Sequence, residues 1–126
     1  MGRPTKQSIA SAVMGSLRFS FQIEAEGRAF FFCHAGVKPG IPLDQQIPDD
    51  LLWIREQFYA HYRGETVVVA GHNPVRDIPL CRLHSGQDAD TPLISKTMML
   101  VDTGVCYGGR LSCVDVLSGQ FWQNDD

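Results

Sequence analysis

No long apolar run occurs in this 126-residue chain; the longest, Ala29–Cys33, spans five residues. A membrane-spanning helix needs about 20, so none is expected and no membrane partner is implied. Positive charge is scarce, 11 basic residues against 14 acidic for a net −3. Without a Lys/Arg stripe to neutralise phosphates along a duplex, nucleic acid is excluded as a partner. Cysteine is limited to positions 33, 81, 106 and 113, and no two are spaced as CxxC. That spacing offers neither a zinc knuckle nor a redox dithiol, and it points to the cytoplasm. Cys33, Cys106 and Cys113 lie in strand-like contexts and read as small buried hydrophobes. The apolar stretch Ile9–Met14 is short and broken by Ser11, too little for a signal peptide. Internal repeats and low-complexity segments are also absent. What remains, 44% apolar and 20% charged residues, is ordinary for one globular domain that folds without staples.

Residues 1–8 are polar and expected to be a disordered tail, with the folded part running from 9 to 126. Residues 9–17 suit a short helix, with Ser8 as N-cap and Gly15 near its end. From Arg18, the alternation Phe19-Ser20-Phe21-Gln22-Ile23 has period two and predicts a half-buried strand. Glu26-Gly27-Arg28 reads as a turn into Ala29–Cys33, a strand covered on both faces, so the two form a hairpin. Glycine and proline make 35–48 a loop. Asp49 or Asp50 is placed to cap a helix through Tyr62, with Leu51, Leu52, Ile54 and Phe58 as its apolar stripe and Gly64 as its end. Thr66–Ala70 is a second buried strand, 73–96 a long excursion, and Thr97–Val101 a third buried strand. Leu111–Val116 alternates as a strand, and Gly119 turns the chain into Phe121-Trp122. The fold class is α+β, a mixed β-sheet with flanking helices.

Three buried strands end alike. Phe30–Cys33 runs into His34-Ala35-Gly36, Val67–Ala70 into Gly71-His72-Asn73-Pro74, and Met98–Val101 into Asp102-Thr103-Gly104. Each places a ligand-type side chain just past a dry strand, beside glycine or a tight turn. Strand ends are where open sheets build sites. Imidazole is a common ligand for zinc, manganese or iron, and Asp102 suits either ligation or the orienting of a histidine. A lone histidine after a strand is most often structural; two with an aspartate in one local setting bring the odds level.

Four strings then stand in order: HAGVKPGIPLDQQ at 34–46, DLLWIREQF at 50–58, VVVAGHNP at 67–74 and VDTGVCYGGRLSCV at 101–114. In these the chain resembles the second half of the metal-dependent phosphoprotein phosphatases of the calcineurin-like superfamily, bacterial members above all, over roughly residues 12–122. The resemblance implies the C-terminal half of the family's α/β/β/α sandwich and metal-dependent hydrolysis of phosphoesters, most directly by a serine/threonine protein phosphatase. It implies that His34 and His72 ligate one of two divalent ions (manganese, iron or zinc). It assigns Arg55 to gripping the substrate phosphate, for which a planar guanidinium suits two oxygens at once. Tyr107 falls at the pocket rim, with a packing role among the glycines equally open, and Asp102 falls beside the ligands in a structural or orienting role rather than ligating. Asn73 stands where many relatives have threonine. His61 and His84 match nothing in the family and are expected to be exposed.

The family's GDxHG, GDxxDRG and GNHE motifs do not occur; the chain has no Gly-Asp and no Asn-His dipeptide. Two imidazoles are too few for two ions, so this chain supplies half of the site and binds at most one ion weakly. The partners implied are a phosphorylated protein or small phosphoester as substrate, and either the missing N-terminal half or a second copy meeting an exposed apolar sheet face. Two other readings stay open: a non-catalytic binding module on the same fold, and part of a symmetrical dinucleoside tetraphosphate hydrolase. The spacing also predicts that His34 and His72 converge, and that the hairpin and Val67–Ala70 are left uncovered.

Overall fold

The computed structural model of the chain describes residues 2–3, 5–9, 11, 18–79 and 90–125. The helix expected over 9–17 falls almost wholly outside the described residues, as do Cys81 and His84. Just before it, Thr5 rather than Ser8 caps a helical turn, its Oγ1 accepting the Ser8 N–H at 3.0 Å.

Strand β1 (Ser20–Ala25) and β2 (Arg28–Cys33) form the expected hairpin. Glu26 and Gly27 both take positive φ, 51° and 75°, the tight two-residue turn whose twist matches its strands. Next come α1 (Pro48–Trp53), α2 (Glu56–His61), β3 (Val67–Ala70), β4 (Leu93–Ile94) and β5 (Met98–Leu100). A separate ribbon of β6 (Ser112–Val114) and β7 (Phe121–Gln123) closes the order. The main sheet runs β1-β2-β3-β5-β4. Its three central strands are parallel and both edge strands antiparallel, so the class is α+β with a mixed sheet. No helix among the described residues is long and apolar enough to cross a membrane.

The sheet has a core on each face. On one, Phe31, Val68, Met98 and Leu100 pack against Leu51, Ile54 and Phe58 of the helical segment. On the other, Phe30, Val67, Val69 and Met99 meet Ile94, Val114 and Val116. Every residue of β3 is therefore buried, contrary to the expectation that this strand is left uncovered. The uncovered surface lies on β1, and the half-burial expected there is also corrected. Phe19, Phe21 and Ile23 are 55%, 55% and 43% exposed, because β1 is an edge strand and the β6–β7 ribbon stops short of it.

The single helix expected to Tyr62 is two helices. The Leu51 carbonyl, which a continuous helix would bond to residue 55, accepts the Ala35 N–H at 2.8 Å instead. Ile54 and Arg55 leave helical geometry there, and Ile54 turns into the core. Neither Asp49 nor Asp50 caps α1; Ile47 holds that position without a side-chain bond, and Pro48 occupies the first turn. Gly64 is not the helix end either, since Tyr62 is the C-cap. Its bare Cα lets the Tyr62 ring fold back so that the phenol donates to the Thr66 carbonyl at 2.6 Å. The pair Leu93–Ile94, hidden in the expected excursion, adds β4. Cys106 and Cys113 are exposed, not buried: Cys106 sits in a 3-10 turn, and Cys113 points outward between the inward Ser112 and Val114.

Candidate functional site

The parallel strands β2, β3 and β5 all point one way, so the residues that follow them share one edge of the sheet. His34 directly follows β2, His72 lies one residue beyond the glycine after β3, and Asp102 lies just past β5. The Gly71 N–H bonds the His34 carbonyl at 2.8 Å, and the Val75 N–H bonds the Asp102 carbonyl at 2.9 Å. These bonds lock the three loops together beyond the sheet.

His34 Nε2 and His72 Nδ1 approach to 2.8 Å although 38 residues separate them. Their rings are 4.6 Å apart at 52°. His72 is held there by a strained backbone. It is the middle residue of a three-residue turn closed by Asn73 N–H to Gly71 O at 2.8 Å, with φ at 69°. A non-glycine residue in that region costs of order 1 kcal/mol and persists only when its surroundings impose it. The Trp53 and His72 rings meet edge to face, their centroids 5.4 Å apart at 88°, so Trp53 flanks one side of the pair. The His34 pKa lies below the ordinary 6.5, chiefly through desolvation and then the neighbouring His72, with Asp102 pulling the other way. His34 is thus neutral at pH 7, the form that carries a ligating lone pair.

Asp102 does not contact the imidazoles by hydrogen bond; its Oδ1 accepts the Gly104 N–H at 2.9 Å. The carboxylate pins the turn after β5 and acts on His34 through its charge. Arg55 sits at the break between α1 and α2. Its exposed guanidinium has no hydrogen bond or ion pair among the described residues and shares an open depression with Trp53, Asp49, Asp50 and Glu56. Tyr107 is 71% exposed, so no packing role holds its ring; its carbonyl accepts an Arg76 N–H at 2.8 Å. His61 is exposed, as expected.

Three residues of this edge were not singled out by role in the sequence. Trp53 faces His72; its only signal was its place in the string with Arg55. Arg76 braces Gly104 and Tyr107, and nothing in its local sequence marks it. Asn73 is 5% exposed, and its Nδ2 has no partner among the described residues. Such an amide is costly to bury unsatisfied.

Tested against a metal, the donor set is short. Among the described residues no three His, Cys, Asp or Glu side chains group as an ion would need. Two nitrogens on a tetrahedral ion stand about 3.3 Å apart for bonds of about 2.0–2.1 Å, so the pair would open by roughly half an ångström to take one ion. A second ion finds no bridging carboxylate here. No family model matches the chain, and no curated protein matches it. The fold and its edge define a mixed-sheet α+β unit with a pair of imidazoles within hydrogen-bonding distance at the ends of its parallel strands.

Proposed function

We propose that this chain carries the second half of a metal-dependent phosphoesterase site, most directly that of a serine/threonine protein phosphatase. The observation that carries the reading is the His34–His72 pair, brought to 2.8 Å across two parallel strands with His72 in strained backbone. In this reading His34 Nε2 and His72 Nδ1 hold one divalent ion (manganese, iron or zinc), giving up the hydrogen bond between them. Bound metal supplies water activation near neutral pH and neutralises charge on the phosphoryl oxygens. Arg55, without a hydrogen bond or ion pair among the described residues, binds two oxygens of the phosphate in this reading, with the exposed Tyr107 ring at the rim. Asp102 keeps the loop after β5 in place and biases the charge on His34. The remaining ligands, and a second ion, belong to a segment bearing GDxHG, GDxxDRG and GNHE that completes an α/β/β/α sandwich. Exposed, unpaired Cys106 and Cys113 support a reducing, cytoplasmic setting.

The short donor set favours a second reading, a non-catalytic binding module on the same scaffold. One set of measurements separates the two. Manganese or zinc should bind the isolated chain weakly and stop binding in His34→Ala and His72→Ala. The chain alone should not turn over p-nitrophenyl phosphate or a phosphopeptide. Addition of a segment bearing the three motifs should restore turnover, and Arg55→Ala should then cut the rate roughly 10- to 100-fold, the worth of a charge-assisted bidentate contact. A preference for dinucleoside tetraphosphate over phosphopeptide would move the substrate within the same chemistry. Metal binding that survives both histidine substitutions would sink the proposal.

A further inference from the structure

The outer edge of β1 is built to pair. Natural edge strands are blunted by proline, lysine, bulges or brevity. Strand β1 has none of these in its six residues, and its register with β2 is unbroken. The opposite edge, β4, is two residues long. Because the β1–β2 turn is the two-residue type, Ala25 and Arg28 form the hydrogen-bonded pair that closes the hairpin. By alternation, the N–H and C=O groups of Ser20, Gln22 and Glu24 then face away from β2. No described strand pairs with them.

The side chains along this edge are self-complementary. Residues 18–24 read Arg-Phe-Ser-Phe-Gln-Ile-Glu. An antiparallel copy centred on Phe21 sets Arg18 opposite Glu24 of the second copy and Phe19 opposite Ile23, with Ser20 opposite Gln22. Every outward backbone group then finds a partner. Charges meet opposite charges on the polar face, and neither Arg18 nor Glu24 has an ion pair within its own chain among the described residues. The exposed parts of Phe19, Phe21 and Ile23 amount to roughly 300 Å² per copy, the scale at which an apolar patch marks an interface.

We propose that the chain forms a two-fold symmetric dimer by antiparallel pairing of β1 with β1 of a second copy, centred on Phe21, joining two five-stranded sheets into one. The two-fold axis makes each contact occur twice. The assembly closes at two copies because β4 is too short to serve as a second edge. The outer edge of β1 faces away from β2, the strand that leads to His34, and the pairing needs neither metal nor phosphate, so the dimer stands or falls apart from any phosphoesterase chemistry.

The test is sedimentation of the full chain over a range of concentrations, with amide exchange followed by NMR. The expected result is a monomer–dimer equilibrium in which the Ser20, Gln22 and Glu24 amides gain protection as concentration rises. Arg18→Glu and Glu24→Arg should each weaken the dimer at least about tenfold, since each places two like-charge pairs across the axis. The double swap should restore it to within about threefold. Gln22→Pro removes an outward donor without touching the β2 pairing and should leave a folded monomer by circular dichroism. A monomer at all concentrations overturns the proposal. So does a dimer in which the double swap brings no rescue, or one in which those three amides exchange freely.

Discussion

Replacing Gly36 with alanine puts a methyl group into the space occupied by α2. Gly36 lies two residues past His34, where the chain crosses the helical layer. A Cβ built there meets the Phe58 ring, 2.7 Å from Cγ, and the Ile54 methyl at 2.9 Å. Neither neighbour has room to yield, since Phe58 is fully buried and Ile54 is 8% exposed. Overpacking a filled core costs about 1–3 kcal/mol, and this contact, with two fixed neighbours, belongs at the upper end. If the backbone moves instead and relieves part of the clash, the Ala35 N–H to Leu51 O bond at 2.8 Å is strained, and a loss of about 1 kcal/mol takes the place of the overpacking relieved. The total is roughly 3 kcal/mol, which for a urea slope of about 1.5 kcal/mol per molar lowers the midpoint by about 2 M. The assay is equilibrium urea unfolding followed by tryptophan fluorescence and circular dichroism. Gly27→Ala serves as the reference. It too has positive φ, but nothing lies within 4 Å of its Cβ, so backbone strain alone should cost about 1 kcal/mol. If Gly36→Ala proves no more damaging than Gly27→Ala, the packing of α2 on the loop after β2 is not as described.

Three further outcomes follow from the burial of Cys33 and the backbone of His72. Burial pushes the Cys33 thiol from 9.0 up to about 12, so at pH 8 to 9 an alkylating reagent should label Cys106 and Cys113 in the folded chain and spare Cys33; mass-mapped labelling of Cys33 at the rate of the other two would refute this. Because the unfolded thiol ionises near 9 while the folded one stays protonated, the unfolded state binds fewer protons above pH 9. The Cys33 contribution to stability is therefore whole below pH 9 and falls as pH rises toward 12, seen as a declining urea midpoint that Cys33→Ala should flatten. At position 72, where φ is 69°, glycine should be more stable than alanine by about 1 kcal/mol, the reverse of the usual order. Equal stability of His72→Gly and His72→Ala in thermal melts would show that no strain is stored there.

Local chemistry was enough to locate most of the strands and the ends that carry the site. Period two with Glu-Gly after it marked the β1–β2 hairpin. Unbroken apolar runs marked β2, β3 and β5, because strands covered on both faces need no polar face. The ligand-type residues after those runs were legible for the same reason: a dry strand that stops at His34, at Gly71-His72 or at Asp102 must turn there. Tertiary contact decided the rest. Whether β1 is half-buried depends on where the β6–β7 ribbon ends, not on the alternation of Phe19, Phe21 and Ile23. Whether the segment from 48 to 62 is one helix depends on Ala35 competing for the Leu51 carbonyl, a partner distant in sequence. Strand β4 exists because β5 offers it an edge; two residues have no periodicity to detect. The order of strands brought His34 and His72 to hydrogen-bonding distance, set Trp53 beside His72 and left Arg55 without a partner among the described residues. Propensity and pattern act over a few residues, so the chain spelled out its elements and its reactive side chains. Packing acts between residues far apart in sequence, so only the folded chain set which of those side chains meet.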